Sequence, residues 1–156
     1  MKVKIENLDM FFRYACPCLE NRLGEEGKKI IESYIKRKEI PENLERLFPN
    51  ALECISKITK RLNKKKVDEE VIKEYFFGPH NKSLEKLYKS EKLLSTEVKE
   101  KARLCMVLEG VVREKRAKDY VVNLGLDEKR ECRSLIGDLE EGERVYVHWY
   151  YIIDRA

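Results

Sequence analysis

Cys105-Met106-Val107-Leu108-Glu109-Gly110-Val111-Val112 is the stretch in which this chain changes its period. Upstream of it, apolar residues recur at threes and fours, as on the buried face of a helix. From Leu104 onward they run together or alternate and are rich in β-branched types, as in strands. The run Val145-Tyr146-Val147-His148-Trp149-Tyr150-Tyr151-Ile152-Ile153 reads as the strongest strand of the chain. Between the two lie Tyr120-Val121-Val122-Asn123-Leu124, bounded by Asp119 and Gly125, and a loosely alternating Arg130 to Ile136. Gly137-Asp138 and Glu140-Glu141-Gly142-Glu143 are turn-like. Four or five short strands this close together predict a small closed barrel, which leaves no sheet edge exposed.

Working back from Leu104, the chain reads as helical. Glu25 to Glu39 carries Ile30, Ile31, Tyr34 and Ile35 on one face. Pro41 suits the first turn of a following helix, where its missing N–H costs nothing. Leu44, Leu47, Phe48, Leu52, Ile55, Ile58 and Leu62 continue the period, with Pro49 expected to break or kink the run. Lys64-Lys65-Lys66 reads as a solvated turn, and Asp68 as the N-cap of a helix carrying Val71, Ile72, Tyr75 and Phe76. Gly78-Pro79 is expected to stop that helix. Leu84, Leu87, Tyr88 and Leu94 mark another, and a last short turn starts at Ser95 or Thr96. Residues 1–8 alternate as a short strand would. The expected organisation is therefore α+β, with a helical domain over 1–103 followed by a β domain over 104–156.

The chain has 156 residues, a net charge of +4 and no apolar run long enough to span a membrane. Its opening lacks the apolar segment of a secretory signal, which predicts a cytoplasmic protein. Five cysteines in such a chain are expected as thiols rather than a disulfide framework. The charge is uneven. Residues 105–156 carry 9 Lys+Arg against 11 Asp+Glu, so the excess of positive charge lies in the helical part. Acidic residues are interleaved there too, as on a solvated helix surface. There is no P-loop, dinucleotide-binding glycine turn, H-E-x-x-H or G-x-S-x-G. With only two histidines, the chain is not expected to be an enzyme.

Cys105 to Val112 resembles the opening of the HypC/HupF family of hydrogenase-maturation chaperones. Tyr120-Val121-Val122-Asn123-Leu124-Gly125 is similar to the family's second strand and its glycine. Leu139 to His148 is similar to its acidic turn into a Val-x-Val-His strand, and Ile152-Ile153-Asp154 to its closing apolar pair. The resemblance covers residues 105–154 in one colinear order. It implies an OB-like barrel that takes part in assembling the metallocentre of nickel–iron hydrogenases. It also implies partners of the HypD or hydrogenase large-subunit type, and iron as a transient cargo. By position, Cys105 and His148 would be the metal-contacting pair, and Cys105, Met106, Trp149 and Tyr150 the partner-binding residues. Glu109 stands where the family has proline, and Trp149-Tyr150 where it has a small residue and glycine.

A second set of donors lies in the helical part. Cys16-Pro17-Cys18, with Cys54 and His80, would complete a Cys₃His zinc set on paper, although Cys54 also fits the apolar row of its helix. Phe11, Phe12 and Tyr14 read as core or as a partner-binding patch. Two further readings of the β domain stand beside the chaperone. One is an OB-like nucleic-acid module stacking bases on Trp149, Tyr150 and Tyr151, which the acidic balance of that domain disfavours. The other is a barrel that serves as an interaction scaffold without metal.

Overall fold

The computed structural model describes residues 4–90 and 95–156. The chain forms two compact units, Met1–Ser83 and Leu84–Ala156. The boundary falls about twenty residues before the change of period, so the last helix belongs to the barrel's unit.

The first unit is built on aromatic packing. Strand β1 (Lys4–Ile5) precedes α1 (Leu8–Ala15), α2 (Pro17–Leu23) and α3 (Glu25–Arg37). Asn7 caps α1 by accepting from Met10 N at 3.0 Å. Phe11, Phe12, Tyr14, Leu19, Ile31 and Tyr34 are fully buried, which makes the Phe11–Phe12–Tyr14 cluster core rather than surface. The rings of Phe12 and Tyr34 lie 5.3 Å apart, and those of Phe11 and Phe48 5.8 Å apart edge to face, the geometry aromatic quadrupoles favour. Gly27 is where α3 crosses α2, because any side chain there would overlap the Leu19 carbonyl.

Further along come α4 (Leu44–Leu47), α5 (Pro49–Arg61), β2 (Lys66–Val67) and α6 (Glu69–Tyr75). Pro41 does not open a helix but lies in the connection before α4; it is Pro49 that takes the first-turn position, and it separates α4 from α5. Lys66 is not in a turn: β2 pairs in parallel with β1, Lys4 opposite Lys66 and Ile5 opposite Val67. Asp68 caps α6 as expected, accepting from Val71 N at 3.1 Å. Gly78-Pro79 does not end the helix. The chain instead passes through one π-helical turn, Phe76–His80, and resumes as α7 (Asn81–Tyr88). Gly78 absorbs the defect with non-helical angles (φ −95°, ψ −108°), and Pro79 withholds the N–H a regular helix would need. Residues 1–3 of the expected first strand, and Leu94, lie outside the described residues.

The second unit contains α8 (Thr96–Cys105) and the strands β3 (Leu108–Lys115), β4 (Tyr120–Gly125), β5 (Glu128–Ser134), β6 (Arg144–His148) and β7 (Tyr151–Arg155). The turn expected at Ser95 is a full helix, with Ser95 Oγ accepting from Val98 N at 3.2 Å. Cys105 closes that helix rather than opening a strand. The strands form a closed barrel in the order β3-β4-β5-β7-β6; β5 and β7 are parallel and the other pairs antiparallel. That Greek-key order is OB-like. Val112, Val122, Cys132, Leu139, Val145, Val147 and Ile152 fill the interior with Tyr120, whose hydroxyl donates to Asp138 Oδ1 and accepts from Leu139 N, both at 3.1 Å. The run 145–153 is two strands, not one, because the chain reverses at Trp149-Tyr150.

Among the described residues no helix is long and apolar enough to cross a membrane.

Candidate thiol and imidazole sites

At one end of the barrel the fold brings the segment of Cys105 against that of His148. Leu108 pairs with Val147 across β3 and β6, and Trp149 N donates to Leu104 O at 2.7 Å. Arg103, next to Leu104 in α8, holds Glu128 of β5 at 3.0 Å. Val145 and Val147 point into the barrel, so strand alternation sends His148 to the other face of β6. His148 is wholly buried, and Cys105 is 7 % exposed. Met106 and Trp149 are buried too, which leaves Tyr150, at 41 %, as the accessible member of the expected partner surface. Among the described residues, Cys105 joins no group of three or more converging His, Cys, Asp or Glu ligand atoms. A thiol and an imidazole alone would grip a metal through two bonds, fewer than the four of a resident structural site.

The turn after His148 is strained and clamped. Trp149 has φ 59°, a conformation that costs a non-glycine residue about 1–3 kcal/mol. Its N–H is taken by Leu104, and its carbonyl accepts from Arg130 Nη1 at 2.8 Å. Trp149 and Tyr150 meet edge to face, 5.5 Å between centroids. Arg130 is 6 % exposed; burial pulls its pKa down, while Glu128 lies 3.6 Å from the guanidinium. Sequence reasoning passed over this arginine. The available signal was its phase: Arg130 shares the strand parity of Cys132, a core residue, so a cation was due on the buried face.

In the helical unit, Cys16 and Cys18 part company. Residues two apart in helical backbone point to nearly opposite sides. Cys16 is fully buried, with Asp9, Arg13 and Tyr34 near it, and burial pushes its thiol pKa well up, so it stays neutral. Cys18 is half-buried, and its sulfur lies within 4.8 Å of a ring nitrogen of His80. Tyr75 joins them: its ring is 5.9 Å from that of His80, and burial, aided by Cys54 and Cys18, raises its phenol to about 12. Cys54 lies near this phenol, but among the described residues it does not complete a group with Cys18 and His80. Of the four donors expected here, Cys18 and His80 therefore converge.

The π turn positions His80. Its ring packs at 5.2 Å from Phe76, Nδ1 lies 3.2 Å from Asn81 Oδ1, and the Phe76 backbone also hydrogen-bonds the ring. Burial pulls the imidazole pKa below its ordinary 6.5, which favours the neutral ring, the form that has a lone pair to give. Tyr75 was missed as part of this cluster because its spacing with Val71 and Ile72 is that of a core residue. Comparison with protein-family models, with curated proteins and with solved structures finds no match to this chain.

Proposed function

We propose that this protein is a non-enzymatic accessory factor whose HypC-like barrel acts in the assembly of a nickel–iron hydrogenase or a related metallocentre. It works by protein–protein contact, with iron as a transient cargo. The observation that carries this reading is the 2.7 Å bond from Trp149 N to Leu104 O, which seats the Cys105 segment beside the strand end of His148. Burial of both side chains favours contact first and metal contact only once a partner has uncovered them. Cys105 would be the thiolate toward iron or toward a partner's cysteine, and His148 the second ligand or its orienter. The helical unit would engage the client or an assembly enzyme of the HypD type.

Charge on the barrel favours a protein partner over a nucleic acid. Lys115 pairs with Asp138 at 2.8 Å, Arg116 with Glu131 at 2.8 Å and Arg155 with Glu143 at 3.1 Å, and Arg144 pairs with Glu109. Cations already neutralised this way have less to offer a phosphate backbone.

The test is binding of the purified protein to a HypD-type assembly protein, with and without ferrous iron, under anaerobic conditions. Cys105→Ser is expected to weaken the complex at least tenfold and to abolish co-elution of iron, with His148→Ala losing the iron alone. Unchanged binding and unchanged iron in Cys105→Ser overturn the proposal. Binding to single-stranded DNA that falls steeply with salt would favour the nucleic-acid module instead.

A further inference from the structure

The convergence of Cys18 and His80 has no part in the barrel's function as read above. The two come from distant points of the chain, Cys18 from the first turn of α2 and His80 from the end of the π turn after α6. Nothing in the local sequence requires them to meet. Their donor atoms nonetheless lie within 4.8 Å. Sulfur and nitrogen bound to one zinc at about 2.3 and 2.0–2.1 Å would sit roughly 3.5 Å apart, so a small side-chain movement closes the pair on an ion. The surroundings suit a ligand pair. Asn81 Oδ1, 3.2 Å from Nδ1, is placed to take up the one N–H of the neutral ring, with the Phe76 backbone beside it, the outer support that orients a metal-bound imidazole. Both side chains are half-buried rather than sealed in the core. The π turn that delivers His80 is a kind of helix defect found often at functional sites.

We infer that Cys18 and His80 form a metal site in the helical unit, taking a soft or borderline d¹⁰ cation through one thiolate and one neutral imidazole. Zn(II) and Cu(I) both fit this donor pair. Cu(I) is content with two donors, whereas Zn(II) would keep open positions for water or for a group from a partner. Binding displaces the thiol proton of Cys18 to solvent and none from His80. Cys16 takes no part, being turned into the core, and Tyr75 lines the site as a neutral phenol.

The experiment uses the full chain, reduced and anaerobic, titrated with Co(II) as a spectroscopic stand-in and then with Zn(II) and Cu(I) against competing chelators. The expected result is a thiolate-to-cobalt charge-transfer band in the wild type and in Cys105→Ser. That band should disappear in Cys18→Ser, and affinity should fall at least tenfold in His80→Gln. The tighter of the two d¹⁰ ions identifies the native class. As a check that needs no variant, saturating metal should slow alkylation of Cys18 at least tenfold, read by peptide mass spectrometry. A Cys18→Ser protein that keeps the band, or a Cys18 that alkylates equally fast with metal present, overturns the inference. Because Cys105→Ser is expected to spare this signal while weakening the barrel's partner contact, the two proposals can fail separately.

Discussion

The two units each place a cysteine and a histidine on a scaffold, by opposite means. In the barrel, strand register sets the two segments: β3 and β6 are locked at Leu108–Val147, and Cys105 and His148 are each buried near those strand ends, beside the Leu104–Trp149 bond. In the helical unit a break in regularity lies beside the pair, since His80 closes the π turn in which Gly78 takes non-helical angles. Cys105 and His148 are buried, whereas Cys18 and His80 are half-buried. Burial therefore separates Cys105 and His148 from Cys18 and His80 more sharply than residue type does.

The largest effects should come from the glycines that set each scaffold. Gly27→Ala would drive a methyl group into the Leu19 backbone and displace α2, the helix carrying Cys18. A loss of about 3 kcal/mol is expected by chemical denaturation, because backbone cannot yield as a side chain can. Gly110→Ala would bring Cβ to 2.6 Å from Val122 Cγ1 and 2.8 Å from Asn123 O. There two of the three nearest atoms belong to side chains, those of Val122 and Leu124, so a smaller loss of about 2 kcal/mol is expected. Equal losses would mean that the Val122 and Leu124 side chains yield no more readily than the Leu19 backbone.

The smallest effect is on pH dependence. His80 titrates below 6.5 when folded and near 6.5 when unfolded. Between those values the unfolded chain holds more protons, so stability rises with pH through that window and is lost as pH falls below 6.5. Asp9 and Asp68 have lowered pKa values and act only below their ordinary 3.8, outside this window. Thermal unfolding from pH 7.5 to 5 should therefore show a decline that His80→Gln flattens. A slope unchanged by that substitution would show that burial of the ring carries no linkage.

Much of the architecture was legible in the residues. The change of period near residue 103 marked the barrel, and Asp68, placed three residues before Val71, announced its cap. Trp149 was harder, since nine strand-forming residues in a row conceal a reversal that only a positive φ at an unlikely residue allows. Gly78-Pro79 misled in the other direction: it has the composition of a stop, yet packing of Phe76 and His80 on either side carries the helix through. Of the paper zinc set, the C-x-C spacing was the least informative feature, because helical geometry turns its two sulfurs apart.

By itself, the sequence determined which stretches would be helix or strand and which faces would be buried, because periodicity and side-chain chemistry act over a few residues. It also supplied Cys18, His80, Cys105 and His148 as the donors worth watching. Only the tertiary structure decided which of them meet and which are open to water. Distances between residues sixty apart depend on how whole elements pack, and on one helix that continues where its composition says it should end.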